Sequence, residues 1–187
     1  MSTEDDIAAL QREVRELKDR QAVLDCIASH ARGCDRHDLD VIGDTYHPDA
    51  IDEHGFTTNA GPEYGPWANA THAATSDVHT HNITTHACEI DGDEAHAESY
   101  VIVVLLSSDG RTAQFISGRY VDRLERRDGE WRIALRKSTV EVMFIADASV
   151  MQTSYFKAQG YLKGTRDRRD LAYERPLSPS SNHAERW

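Results

Sequence analysis

Three residues of this chain have types and spacing that could do chemistry: Asp35 in "GCDRHDLD", and His79 and His81 in "VHTHN". Residues at i and i+2 on a strand point to one side, so both imidazoles face one space. An imidazole that titrates near neutral pH can accept a proton at cellular pH. A carboxylate that reaches one ring nitrogen fixes the tautomer and leaves the other nitrogen basic. The same pair admits a second chemistry. His79 and His81 would be ligands of zinc or iron if His54, Asp52 or Glu53 completed the set. No helical H-x-x-x-H or H-E-x-x-H pattern accompanies them. A plain polar sheet face is the third option.

Arg136, in "IALRKST", lies on a strand-like run. Turned inward it would be a buried cation in need of an anion, with Lys137 on the opposite face. His30, Tyr46, His47, His54, Trp67 and Phe115 have side chains that can line a small-molecule pocket. No nucleophile elbow, P-loop or dinucleotide glycine motif occurs.

These side chains need elements to hold them. From Ile7 to Arg32 there is no Gly or Pro, and Leu10, Val14, Leu17, Gln21, Leu24, Ala28 and Ala31 recur at helical spacing. The first part of that helix is polar enough to be a coiled-coil-like arm or to lie on a partner. Continued by four, the stripe reaches Asp35 and points it inward. If the helix stops at Gly33, Asp35 instead caps the next one. The spacing leaves both open. A short helix is predicted over Leu39–Tyr46, capped by Asp38 and ended before Pro48. Another is predicted over Pro66–Thr75.

The second half reads as strands. Asp91-Gly92, Asp109-Gly110 and Asp128-Gly129 separate four runs rich in β-branched and aromatic residues. Asp-Gly is a strong hairpin signal, so the runs form an antiparallel meander. Helices first and a meander after give an α+β fold. Residues 1–150 form one domain with an N-terminal helical arm, and 151–187 a C-terminal helix and an irregular tail.

Composition narrows the partners. The 187-residue chain carries a formal net charge of −11. From Tyr155 onward, seven Lys/Arg face four Asp/Glu, so the rest of the chain carries −14. An acidic body disfavours nucleic acid, whose phosphates need clustered cations. The basic tail fits its own body or a neighbour's. Cys26, Cys34 and Cys88 are an odd number without a C-x-x-C pair, which fits a reducing compartment. "MSTEDDIAAL" has no apolar signal core, and no run is long enough to span a membrane, so a cytoplasmic protein is expected.

Four blocks in order carry a resemblance: "DRQAVLDCIASHARGCDRHDLD", "YHPDAIDEHG", "HTHNITTHACEIDGDEAHAESYVIV" and "SGRYVDRLERRDGEWRIALRKS". With them the chain resembles the SnoaL-like branch of the NTF2-like superfamily over most of its length. The resemblance implies a cone-shaped α+β barrel, a strongly curved and mostly antiparallel sheet whose N-terminal helices close a pocket. It also implies an Asp–His dyad of the kind in scytalone dehydratase, bile-acid 7α-dehydratase and hexachlorocyclohexane dehydrochlorinase. Asp35 matches the Asp at the end of the first helix and His81 the His on the first long strand. Arg136 matches an Arg on the last strand of the latter two enzymes.

On that pattern His81, oriented by Asp35, removes a proton, and Arg136 stabilises the developing anion with His30, Tyr46 or His79. Trp67 and Phe115 complete the substrate-binding set. The implied reaction is a cofactor-free, metal-free β-elimination or proton-shift isomerisation of an apolar cyclic molecule such as a steroid, terpenoid or polyketide. His30 replaces a Tyr of the bile-acid enzyme and a Lys of the dehydrochlorinase, and Thr85 a frequent Asn, so the substrate does not carry over. Two other functions share the fold: ligand binding without catalysis, and assembly as the small subunit of a ring-hydroxylating dioxygenase does. Homodimers or trimers are common in the family.

Overall fold

The computed structural model describes residues 3–179 and 185–187. Helix α1 spans Thr3–Arg36 and α2 Leu39–Asp44. Strand β1 covers Tyr46–His54 and β2 Thr57–Ala60, followed by α3 over Gly61–Thr75. Then come β3 (Ser76–Asp91), β4 (Glu94–Ser107), β5 (Thr112–Arg127) and β6 (Glu130–Asp147). The six strands form one curved, open sheet in the order β2-β1-β6-β5-β4-β3. Only β1 and β6 run parallel. The α+β architecture and the four-strand meander are as the sequence predicts.

The helix question resolves at His37. Its φ of +51° is the left-handed turn that ends α1. Its N–H donates to the Cys34 carbonyl and that of Asp38 to the Gly33 carbonyl, at 3.2 and 3.0 Å. This pair of bonds closes a helix with its last carbonyls satisfied. Asp38, not Asp35, caps α2, accepting the Val41 N–H at 3.3 Å. Gly33 lets the two helices touch, because a Cβ there would lie 2.9 Å from an Ile42 methylene.

The buried face of α1 differs from the predicted stripe. Val23, Cys26, Ile27, His30, Ala31 and Cys34 are inside, whereas Ala28 is exposed. The apolar spacing read from the arm drifts off the core face over several turns. Beyond it, α2 stops at Asp44, short of the expected Tyr46, and β1 begins at Tyr46 and runs through Pro48. Its register with β6 shifts between Tyr46 and Ile51, which accommodates a residue without an N–H.

The expected C-terminal helix is reduced to a single turn. Strand β6 stays paired with β5 as far as Asp147. A 3-10 turn (Ser149–Gln152) and one turn of helix, α4 (Ser154–Lys157), follow. The tail is irregular but docked. Arg36 donates to Asp170 at 2.8 Å, Tyr173 to Asp38 at 2.6 Å and Lys163 to Asp77 at 3.0 Å. Part of the predicted irregular tail, residues 180–184, lies outside the described residues. No described helix is long and apolar enough to cross a membrane.

Candidate active site

Strand β3 is an edge strand, so alternate N–H groups on its free side lack a ladder partner. The end of α1 supplies one. Both carboxylate oxygens of Asp35 accept the backbone N–H of His81 at 3.0 Å. Oδ1 also accepts the ring Nδ1–H of His81 at 2.7 Å. That bond makes Nδ1 the donor and leaves Nε2 as the free, basic nitrogen. The His81 ring lines a cavity of about 420 Å³ on the concave side of the sheet.

The cavity walls are mostly apolar, with Val101, Val103, Leu105, Ile116 and Val140. Its polar edge carries His54, His72, Tyr120 and Ser138 beside His81. A volume of this order suits a small organic molecule, and apolar walls with few polar groups are the usual design of such sites.

His72 and Tyr120 were missed in the sequence. His72 sits in the last turn of α3 and meets the cavity only because that helix crosses the sheet mouth. Burial, then the neighbouring His81, His37 and Arg166, push its pKa down to about 3, so it is neutral. Its buried Nδ1 has no partner among the described residues. Tyr120 is buried on β5, and burial raises its pKa, so it remains a neutral hydroxyl.

His79 lies behind the cavity wall, not on it. Arg166 of the tail donates to its Nδ1 at 2.8 Å. Its Nε2–H donates to the Cys34 carbonyl at 3.1 Å. Burial, then His72, His81 and Arg166, bring its pKa down to about 2. Ring nitrogens of His37, His72 and His79 lie within 4.8 Å of one another, as do donor atoms of Asp35, His79 and His81. Either set has metal-like composition. However, the Arg166 guanidinium already occupies one donor of His79, and Asp35 one donor of His81. His54, Asp52 and Glu53 join neither set among the described residues.

Arg136 is also placed differently from the expectation. It is fully buried, and Asp122 accepts from its Nε and Nη2 at 2.7 Å each. Strand register sets Asp52 on its other side, so β1, β6 and β5 carry a row Asp52, Arg136, Asp122. The guanidinium packs 4.0 Å from the centre of the Tyr120 ring. Arg136 does not line the cavity; Tyr120 does. Its anion is a neighbouring carboxylate because a buried strand cation must be paired.

The other predicted contacts also sit apart from the cavity. Tyr46 is buried, with its hydroxyl donating to Asp52 at 2.7 Å. His30 is enclosed by the rings of Tyr46, Tyr64 and Tyr120, and burial lowers its pKa far enough to keep it neutral. His47 donates to the Glu125 carbonyl at 2.9 Å. Trp67 packs on His54, 5.5 Å between ring centres. Phe115 stacks on Phe144 at 4.8 Å. Ile116 lines the cavity, so strand alternation turns Phe115 to the convex face. His54 does reach the cavity. Its Nδ1 is 3.1 Å from Ser138 Oγ and 3.4 Å from Asp52 Oδ1.

The SnoaL-like domain family matches residues 15–137. No curated protein matches the chain. Among solved structures, LinA is 22% identical over 70% of this chain and 91% of its own, with a TM-score of 0.66. The hexachlorocyclohexane dehydrochlorinase LinA-type3 from Novosphingobium barchaimii LL02 is 20% identical, covering 72% of this chain and 94% of its own, at TM-score 0.66. A Mycobacterium tuberculosis protein of unknown function is 26% identical over 68% of this chain and 74% of its own, at TM-score 0.61. The likeness to LinA extends to the fold.

Proposed function

The chain belongs to the SnoaL-like family of the NTF2-like superfamily, and we propose that it is a lyase or isomerase in which His81, oriented by Asp35, takes a proton from an apolar small molecule. The observation that carries this reading is the 2.7 Å contact between Asp35 Oδ1 and His81 Nδ1, on a histidine whose ring faces a mainly apolar cavity. The dehydrochlorinase named among its structural neighbours fits the same reaction class.

The chemistry follows from these positions. Asp35 keeps the proton on Nδ1, so Nε2 presents its lone pair to the cavity. It accepts a proton from a C–H bond made acidic by a neighbouring carbonyl or leaving group. Asp35 stabilises the imidazolium that forms. In an elimination, the C–H electron pair becomes the new double bond and the leaving group departs with its own pair. In an isomerisation, the imidazolium returns the proton to a second carbon.

Tyr120 takes the role the resemblance gave to Arg136. Its hydroxyl donates to the oxygen or halide that gains charge, and Arg136 beneath the ring strengthens that donor. His54, beside Asp52 and Ser138, faces the same cavity and is placed to hydrogen-bond a leaving oxygen, and the proton that His81 removed completes the departing hydroxide as water. The apolar walls exclude water, which raises the worth of each of these contacts.

The test is a panel of cyclic β-hydroxy and β-halo ketones and unsaturated ketones, assayed for elimination and double-bond migration. Wild type is expected to turn over at least one class. His81→Ala loses at least a hundredfold in kcat, the scale of a lost general base, while calorimetry shows that it still binds the same compound. A wild type that binds the panel without turnover is a ligand carrier. His81→Ala turnover at the wild-type rate excludes His81 as the base.

A further inference from the structure

The hydrogen bonds that tie α1 to the sheet begin at Asp19, which receives Arg126 and the Trp131 indole N–H. N-terminal to it, Ile7, Leu10, Val14 and Leu17 are 49–66% exposed. Residues 3–18 therefore project roughly 24 Å from the body, at the rise of an α-helix. Four large apolar side chains in line on a projecting helix are unusual for a surface meant to face water.

Their order is specific. Ile7 and Val14 occupy the first position of a seven-residue repeat, and Leu10 and Leu17 the fourth. β-Branched residues at the first position with Leu at the fourth favour two parallel helices packed side by side. Successive residues turn about 100°, so this stripe is centred about 150° around the helix from Val23, Ile27, His30 and Cys34. It points away from its own body. A chain cannot fold back to cover it without breaking α1, and two copies can meet along it with their bodies on opposite sides.

The flanking charges agree. In a parallel pair, the seventh position of one helix faces the fifth position of the next repeat on the other. Here that sets Glu13 of one copy against Lys18 of its mate, twice by symmetry. Neither Glu13 nor Lys18 has a partner within its own chain among the described residues. Ile7, Leu10 and Val14 precede the part matched by the family, so most of this face is an addition to the shared domain.

We infer that residues 6–20 pair with the same segment of a second copy as a short parallel two-stranded coiled coil, holding two cavity-bearing bodies on one dimer stem. The inference stands apart from the catalytic reading. Val14→Cys in a Cys88→Ser background tests it on the full chain. Oxidation is expected to link copies in pairs, seen as a doubled mass on a non-reducing gel. Leu10→Glu/Leu17→Glu is expected to halve the mass measured by light scattering. Glu13→Lys is expected to weaken association at least threefold, and the Glu13→Lys/Lys18→Glu double exchange to restore it. Unchanged mass in the double-Glu variant would overturn the proposal, as would a Val14→Cys variant that stays unlinked while the wild type is oligomeric. The second outcome would mean an antiparallel pairing, another interface, or a different partner for the arm.

Discussion

Asp35 holds His81 at two of its atoms, accepting the ring Nδ1–H at 2.7 Å and the backbone N–H at 3.0 Å. One contact fixes the tautomer. The other fixes the strand that carries the ring. The carboxylate also replaces a missing ladder partner on the edge strand β3, so the residue proposed to orient His81 also satisfies the fold.

Asp35→Asn separates these two roles. The amide oxygen can still accept the backbone N–H, so the fold persists. The amide cannot stabilise an imidazolium as a carboxylate does, and its NH₂ group favours the opposite histidine tautomer. We expect kcat to fall by about 10²–10⁴, the range for a disabled base, with little change in KM. Circular dichroism and steady-state rates check both halves.

Arg136→Met should act on stability first. It leaves the buried Asp122 carboxylate without the two hydrogen bonds it now receives at 2.7 Å. Removing one partner of a buried ion pair costs about 3–5 kcal/mol. Urea unfolding should show that loss as a lower midpoint. Unchanged stability with lost turnover would instead restore Arg136 to direct contact with substrate.

Gly118 lines the cavity where the β5–β6 register shifts. A Cβ at this position would lie 2.0 Å from the Thr139 carbonyl oxygen. Backbone cannot yield as a side chain end can, so Gly118→Ala must part the two strands. Overpacking of this kind costs about 1–3 kcal/mol, and thermal unfolding would read it.

Acid should loosen the histidine cluster before it reaches ordinary carboxylates. Folding lowers the pKa of His37 from 6.5 to about 4, of His72 to about 3 and of His79 to about 2, in each case chiefly by burial. Arg166 adds positive charge around both His72 and His79. The unfolded chain therefore binds protons first. Stability is full above pH 6.5 and is lost as pH falls from there toward the folded values. Tm should already drop between about pH 7 and pH 5, where most Asp and Glu remain charged. His72→Phe should flatten that slope, and a flat wild-type profile would contradict it.

Much of this fold was legible in local signals. The three Asp-Gly turns mark the meander because their positive-φ demand allows few other structures. Asp35 and His81 were visible as candidates from type and position. Their contact was not, because it depends on α1 running on to Arg36 before His37 turns the chain, and on β3 lying at the sheet edge. Spacing placed Arg136 correctly on its strand and left its anion unnamed. Asp122 and Asp52 become its neighbours only through cross-strand register. Phe115 and Trp67 illustrate the limit of residue type as a guide. Both are aromatic and partly buried, yet one faces the convex side and the other backs His54.

The most direct measurement of the central claim is deuterium uptake. A cyclic ketone that binds the cavity is incubated in D₂O, and exchange at the carbon next to the carbonyl is followed by NMR. Wild type is predicted to catalyse exchange, and His81→Ala and Asp35→Asn to slow it at least a hundredfold while the ketone remains bound. Exchange at the wild-type rate in His81→Ala would show that the proton leaves by another route and that the Asp35–His81 pair is structural.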